Sequence, residues 1–205
     1  MRNADAVHLP GFSDWADLSG ALIHGLSHAF TNRIASLTSY MQLMKFGEGE
    51  FSADVFLPVE IQRLQDLNIA MRLLIPRDEQ PSAMELAPLL REALALHSHH
   101  GSAYAQETEL VVTGEALPVR IAPSDLISLL LLLIDQSSTH HRQRGETRVV
   151  HTLVCEDLTV ALHLSGAGPV TPYMTAVAAE CGAQLATTAG GVSLTLPTLL
   201  ALRMR

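Results

Sequence analysis

Seven apolar residues, Leu22, Leu26, Phe30, Ile34, Leu37, Met41 and Met44, recur at spacings of 4, 4, 4, 3, 4 and 3. That period is a single stripe along a long α-helix. Ser13 and Asp14 stand where its N-terminal caps belong. A second set, Leu57, Ile61, Leu64, Leu67, Met71 and Leu74, recurs at 4, 3, 3, 4 and 3, close to a heptad seam. Pro58 suits the first turn of this second helix, Pro76 ends it, and Gly47 and Gly49 break the chain between the two. Two such helices form an α-hairpin, residues 13–76. A hairpin has one internal contact face, so its remaining apolar surface needs a further partner. A second copy would complete a four-helix bundle across a homodimer; the alternative is cover from the rest of the same chain.

After a polar linker at residues 77–82, the region 83–205 is mixed α and β. Residues 84–97 have a helical pattern. Short strands are predicted at 109–113 and 119–122. Pro123, Ser124 and Asp125 open a very apolar helix through about Gln136. Residues 147–154 and 158–164 form a predicted hairpin turning at Glu156 and Asp157, and residues 175–181 are helical. Residues 184–188 and 192–196 form a last hairpin around Gly190 and Gly191. Helices in this order cover one face of a mixed sheet, so the expected fold is α+β: a helical hairpin, then a small α/β sandwich. Leu129 to Leu133 are all leucine and require cover on every side, whereas Met41, Met44 and Met71 belong to the core or to a dimer seam.

Composition removes several classes of function. Lys and Arg total 13 against 21 Asp and Glu, a net charge of −8, which gives no general attraction to nucleic acid. Aromatic residues are only 4%, which favours helices over an all-β sandwich. Cys155 and Cys181 make neither a disulfide framework nor a zinc site. The most apolar run, residues 126–134, is nine residues long, where a membrane span needs about 20. The first residues lack the apolar stretch of a signal peptide, so a cytoplasmic location is expected.

The run His28-Ala29-Phe30-Thr31-Asn32-Arg33-Ile34, followed by Leu37 and Tyr40-Met41-Gln42-Leu43, resembles the phosphoacceptor box of sensor histidine kinases, in which a histidine is followed four residues later by Asn or Thr. The order of elements after Pro81 resembles the ATP-binding domain of those kinases. Residues 179–185, Gly191 and Leu194-Thr195-Leu196-Pro197 look like its terminal helix and hairpin. The resemblance covers about residues 15–200. Its departures are specific. The two asparagines of the family's metal-holding helix fall on Leu132 and Gln136. The adenine-reading Asp falls on Leu164, although Gly166 and Gly168 after it survive. The second glycine-rich box and lid are absent between Pro169 and Tyr173.

This combination resembles the bacterial histidine phosphotransferases with a kinase-like body. The resemblance implies a homodimer with a degenerate ATP-binding domain and no autokinase activity. It implies phosphoryl transfer between aspartates of response-regulator receiver domains, with a sensor histidine kinase as a further partner. It implies no cofactor of the chain's own, Mg²⁺ being expected on the partner receiver domain.

His28 is the candidate acceptor. At 100° per residue it lies about 200° from both Leu26 and Phe30, pointing away from the hairpin contact, with Asn32, Ser36 and Ser39 on the same polar side. An exposed imidazole attacks phosphorus with one nitrogen while the other keeps its proton. Asn32, one turn on, orients the ring or meets the phosphoryl oxygens. Arg33 either screens the incoming phosphoryl group and pairs with an acidic residue of the partner, or is a surface arginine. Many of the kinases carry an acid directly after the histidine, and here that residue is Ala29. His24 and His28 have a possible metal spacing but no carboxylate between them. His97, His99 and His100, and likewise His140 and His141, are expected in solvated loops, with adventitious metal binding as the next reading. Ser165 is not a nucleophile elbow. Two other functions compete: a non-catalytic pseudokinase module that binds a response regulator or kinase through the same hairpin, and a divergent active kinase.

Overall fold

The computed structural model describes residues 9–46, 53–75, 80–101 and 106–204. Helix α1 (Phe12–Phe46) runs for 35 residues, and α2 (Ala53–Leu73) returns along it. Tyr40 stacks on Phe56 with ring centroids 4.4 Å apart, and Arg33 pairs with Glu60, which sets the antiparallel register. Pro58 does not open α2: the helix starts at Ala53 and Pro58 lies inside it. The missing N–H costs one helical hydrogen bond, to the Asp54 carbonyl. Pro76, Gly47 and Gly49 lie outside the described residues.

The second region is built around a five-stranded sheet of order β2-β4-β5-β7-β6, made of β2 (Glu107–Thr113), β4 (Arg148–Cys155), β5 (Thr159–Ser165), β6 (Gln184–Thr188) and β7 (Gly191–Pro197). β2 runs parallel to β4, and all other neighbours are antiparallel. A separate two-stranded sheet joins β1 (Ser82–Met84) to β3 (Val119–Ile121). Residues 82–84 are therefore strand, not linker and helix start: pairing with β3 satisfies their backbone groups, and helix α3 (Leu86–His97) begins two residues later than its pattern suggests.

Helix α4 (Pro123–Gln143) crosses one face of the sheet and also meets α3, α1 and α5 (Pro172–Glu180). Leu126 to Ile134 are all buried, most of them completely, so the leucine run has the cover on every side that it requires. α4 continues well past Gln136, which puts His140 and His141 on the helix instead of in a loop. Val149, His151 and Leu153 of β4, Val160, Leu162 and Leu164 of β5, and Val192, Leu194 and Leu196 of β7 alternate inward beneath the helices. Thr171 caps α5 by accepting from the Met174 N–H at 3.3 Å. A short α6 (Leu199–Arg203), not expected from the pattern, is capped in the same way by Thr198. Among the described residues no helix is long and apolar enough to cross a membrane.

One core joins the two regions. Leu18, Leu22 and Leu26 of α1 and Leu67 of α2 belong to the same buried cluster as Leu90, Leu96 and Leu130. At Gly25 the approach is close: a Cβ there would lie 1.9 Å from the carbonyl oxygen of His99, so α1 rests directly on the loop after α3. Further along the hairpin this cover ends. Ile34, Met41, Met44 and Ile61 are exposed there, and Met71, level with the covered base, is exposed too, so within one chain these three methionines are not core.

Candidate functional site

Thr31 and Thr38 turn their hydroxyls back onto the Ser27 and Ile34 carbonyls, each at 2.9 Å, and so remain compatible with helix along the middle of α1. His28 and Asn32 stand on this stretch, both exposed and one turn apart. The Asn32 Nδ2 amide donates to His28 Nε2 at 3.2 Å. In the neutral imidazole that arrangement leaves the ring proton on Nδ1.

Arg33 is placed on a different side of α1. Its Nη1 lies 3.5 Å from Oε1 of Glu60, and Arg63 reaches the same oxygen. Glu60 is buried, and its Oε2 has no hydrogen-bond partner among the described residues. The two arginines edge a groove of about 460 Å³ between the hairpin and α3, lined also by Ala29, Leu67, Leu96 and His99. The structure thus brings Asn32 to His28 and directs Arg33 to the interior of its own hairpin. Glu60 escaped the sequence reading, although a signal existed: it stands four residues before Leu64 and seven before Leu67, a carboxylate at a seam position.

The positions that diverge from the kinase pattern are closed over. Leu132 and Leu164 are buried in the core and offer no polar atom. Gln136 lies against Gly168, its Oε1 buried without a partner among the described residues. Gly166 has φ +65°, and a Cβ there would come within 2.5 Å of the His140 ring and 3.0 Å of His141 Nε2. His141 Nε2 lies 3.0 Å from Ser165 Oγ, and its Nδ1 contacts Glu146. The histidines of α4 therefore cover the glycine turn.

A second group of histidines is organised where solvated loops were expected. His97, the last residue of α3, is buried, with Nε2 3.1 Å from Asp135 Oδ1. His100 Nδ1 lies 3.7 Å from the same oxygen, and the two rings stack with centroids 5.8 Å apart. Burial pulls His100 below its ordinary value, with Asp135 opposing and His97 and Arg142 adding; burial lowers His99 too. His151 on β4 is lowered to about 4, by burial first and by His141 and His97 after it, and its Nδ1 has no hydrogen-bond partner among the described residues. The loop reading fails for His97, which ends α3, and for His140 and His141, which lie on α4; His99 and His100 do lie in the turn after α3, half-buried. Leu90, Ala93 and His97 share one face of α3, a spacing that placed His97 on the buried stripe.

No protein-family model matches this chain, and no curated protein matches it either. Solved structures do. The catalytic domain of histidine kinase ThkA, 14% identical, covers 58% of this chain and 97% of its own, with a TM-score of 0.45. Acinetobacter baumannii histidine kinase AdeS, also 14% identical, covers 83% of this chain and 96% of its own, with a TM-score of 0.45. Histidine kinase ThkA in complex with response regulator protein TrrA is 13% identical, covering 91% of this chain and 63% of that one, with a TM-score of 0.41. Likenesses at this level leave function to the chain's own residues.

Proposed function

We propose that this protein is a histidine phosphotransferase of two-component signalling, a homodimer that accepts a phosphoryl group from a receiver-domain aspartate on His28 and passes it to another. The observation that carries this reading is the exposed His28 imidazole, fixed midway along a 35-residue helix, with the Asn32 amide on its Nε2. A rigid helix holds the ring for in-line attack, the main protein contribution to phosphoryl transfer. As Asn32 releases the lone pair, the N–P bond forms at Nε2, the P–O bond to the donor aspartate breaks, and that aspartate leaves as a carboxylate. The Nδ1 proton stays, so phosphohistidine forms as the imidazolium, and the reverse step delivers the phosphoryl group to a second aspartate. The Asn32 amide then lies within reach of the phosphoryl oxygens. Arg33, engaged with Glu60, contributes by leaving that pair when a partner docks.

Nucleotide has no part in this scheme. Leu132 and Leu164 replace oxygen ligands with hydrocarbon, and His140 and His141 cover Gly166, so the residues do not fit Mg²⁺-ATP. The Mg²⁺ of the transfer is assigned to the receiver domain. The uncovered apolar half of the hairpin is assigned to the dimer contact.

The test is incubation with phosphorylated receiver domains of the same cell. His28→Ala should abolish labelling with fold and dimer intact, and Asn32→Ala should slow transfer more than it weakens binding. Normal labelling of the His28→Ala protein would sink the mechanism. Ala29, where an acid often stands in the kinases, favours a second reading as a non-catalytic docking module; stable receiver binding without transfer is its signature. Labelling from ATP alone would instead restore the kinase reading.

A further inference from the structure

We propose that His97, His100 and Asp135 form a binding site for a divalent transition metal of the zinc type. Nε2 of His97, Nδ1 of His100 and a carboxylate oxygen of Asp135 all lie within 4.8 Å of one another. Both nitrogens approach the same oxygen, at 3.1 and 3.7 Å. In a tetrahedral zinc site with bonds of 2.0–2.2 Å, neighbouring ligand atoms are about 3.3–3.6 Å apart, so these two nitrogen–oxygen distances bracket the edge of such a tetrahedron. Two ring nitrogens aimed at one carboxylate oxygen attract it only if each carries a proton. One cation between the three atoms replaces both protons and makes both lone pairs favourable. Two imidazoles and one carboxylate suit zinc and its neighbours; Mg²⁺ and Ca²⁺ require oxygen ligands and are disfavoured.

The position fits a resident ion. The His97 side chain is 5% exposed, while His100 and Asp135 are 20% and 27% exposed, so the ligands are mostly shielded yet reachable from solvent on one side. Three protein ligands leave one tetrahedral position for water or another small donor. The ligands come from the end of α3, the loop after it and the middle of α4, so an ion there fastens that loop to α4. His99, between the two histidine ligands, is the residue whose carbonyl meets Gly25 of α1. Arg142, close enough to His100 to influence its charge, opposes a bound cation and limits affinity.

The experiment is calorimetric titration of the full chain with ZnCl₂, with MgCl₂ as the control. One Zn²⁺ per chain and no Mg²⁺ heat are expected. Loss of a residue that merely orients a metal ligand costs about 10–100-fold in affinity, so His100→Gln and Asp135→Asn should each weaken binding by about a hundredfold or more. Circular dichroism of the metal-free variants checks their fold, and the partly exposed His100 is the safer substitution. His24→Gln, which removes the His24–His28 pair on α1, should leave the affinity unchanged. The proposal is overturned if wild type binds no Zn²⁺, if a folded His100→Gln protein binds it as tightly as wild type, or if His24→Gln abolishes binding.

Discussion

Leu22 and Leu26 are completely buried, whereas Ile34 and Met41, on the same apolar stripe of the same helix, are 48% and 60% exposed. The first pair lies where α3 and α4 press against the hairpin, and the second lies beyond their reach. Helical period decides which face of α1 is apolar; the reach of the neighbouring region decides how much of that face is covered. His28 and Asn32 stand at the changeover, on the polar side, between an anchored base and an uncovered tip. A long helix held at one end presents a fixed side chain and leaves an apolar surface that the described residues of its own chain do not cover.

The contrast breaks most strongly at the base. Leu26→Ala should cost about 2–5 kcal/mol in urea unfolding, while Ile34→Ala should cost under about 1 kcal/mol when the chain is monomeric. Equal losses at the two sites would remove the distinction. Acid attacks the layer that supports the base. His151 has a folded pKa of about 4 against an ordinary value of 6.5, so the unfolded chain binds the extra proton between those values. Its contribution is complete above about pH 6.5 and is lost as pH falls towards 4, a swing of about 3 kcal/mol. His151→Leu should flatten that part of the stability profile; an unchanged slope would assign the acid sensitivity elsewhere.

Gly25→Ala sharpens the comparison at the contact itself. A methyl group 1.9 Å from the His99 carbonyl forces α1 off the loop, with an expected cost of about 1–3 kcal/mol by thermal melting. Gly20→Ala is the control, since a Cβ there meets nothing within 4 Å, and it should be neutral or slightly stabilising. The smallest effect on the folded chain belongs to Met41→Glu at the tip, within about 0.5 kcal/mol for a monomer. By light scattering the same change should shift the proposed dimer to monomer, and a mass unaltered by it would move the dimer contact away from Met41.

The local elements were largely legible because each has a period and an end signal of its own. The α1 stripe, the leucine run of α4 and the hairpins of β4 with β5 and β6 with β7 all follow from spacing and turn residues. Strand β1 was not legible, since Ser82 to Met84 are extended only because β3 is there to pair with them. The candidate acceptor was legible in part: the exposure of His28 follows from its angle to the stripe, and the reach of Asn32 from a spacing of four. The partner of Arg33 was not, because Glu60 stands 27 residues further along the chain, on the other helix of the hairpin.

Sequence by itself determined the α+β order, the apolar face of each helix and the side of α1 on which His28 stands, because these depend on contacts within a few residues. Only the tertiary structure decided that Leu22 and Leu26 are core while Met41 and Met44 are surface. It alone turned Arg33 to Glu60, laid His140 and His141 over Gly166, and brought His97 and His100 to one oxygen of Asp135, 35 or more residues away in the chain. The Arg33 pair depends on how α2 lies along α1, and the histidine contacts on where α4 crosses α3 and the sheet; both are fixed by packing across the core and by no local spacing.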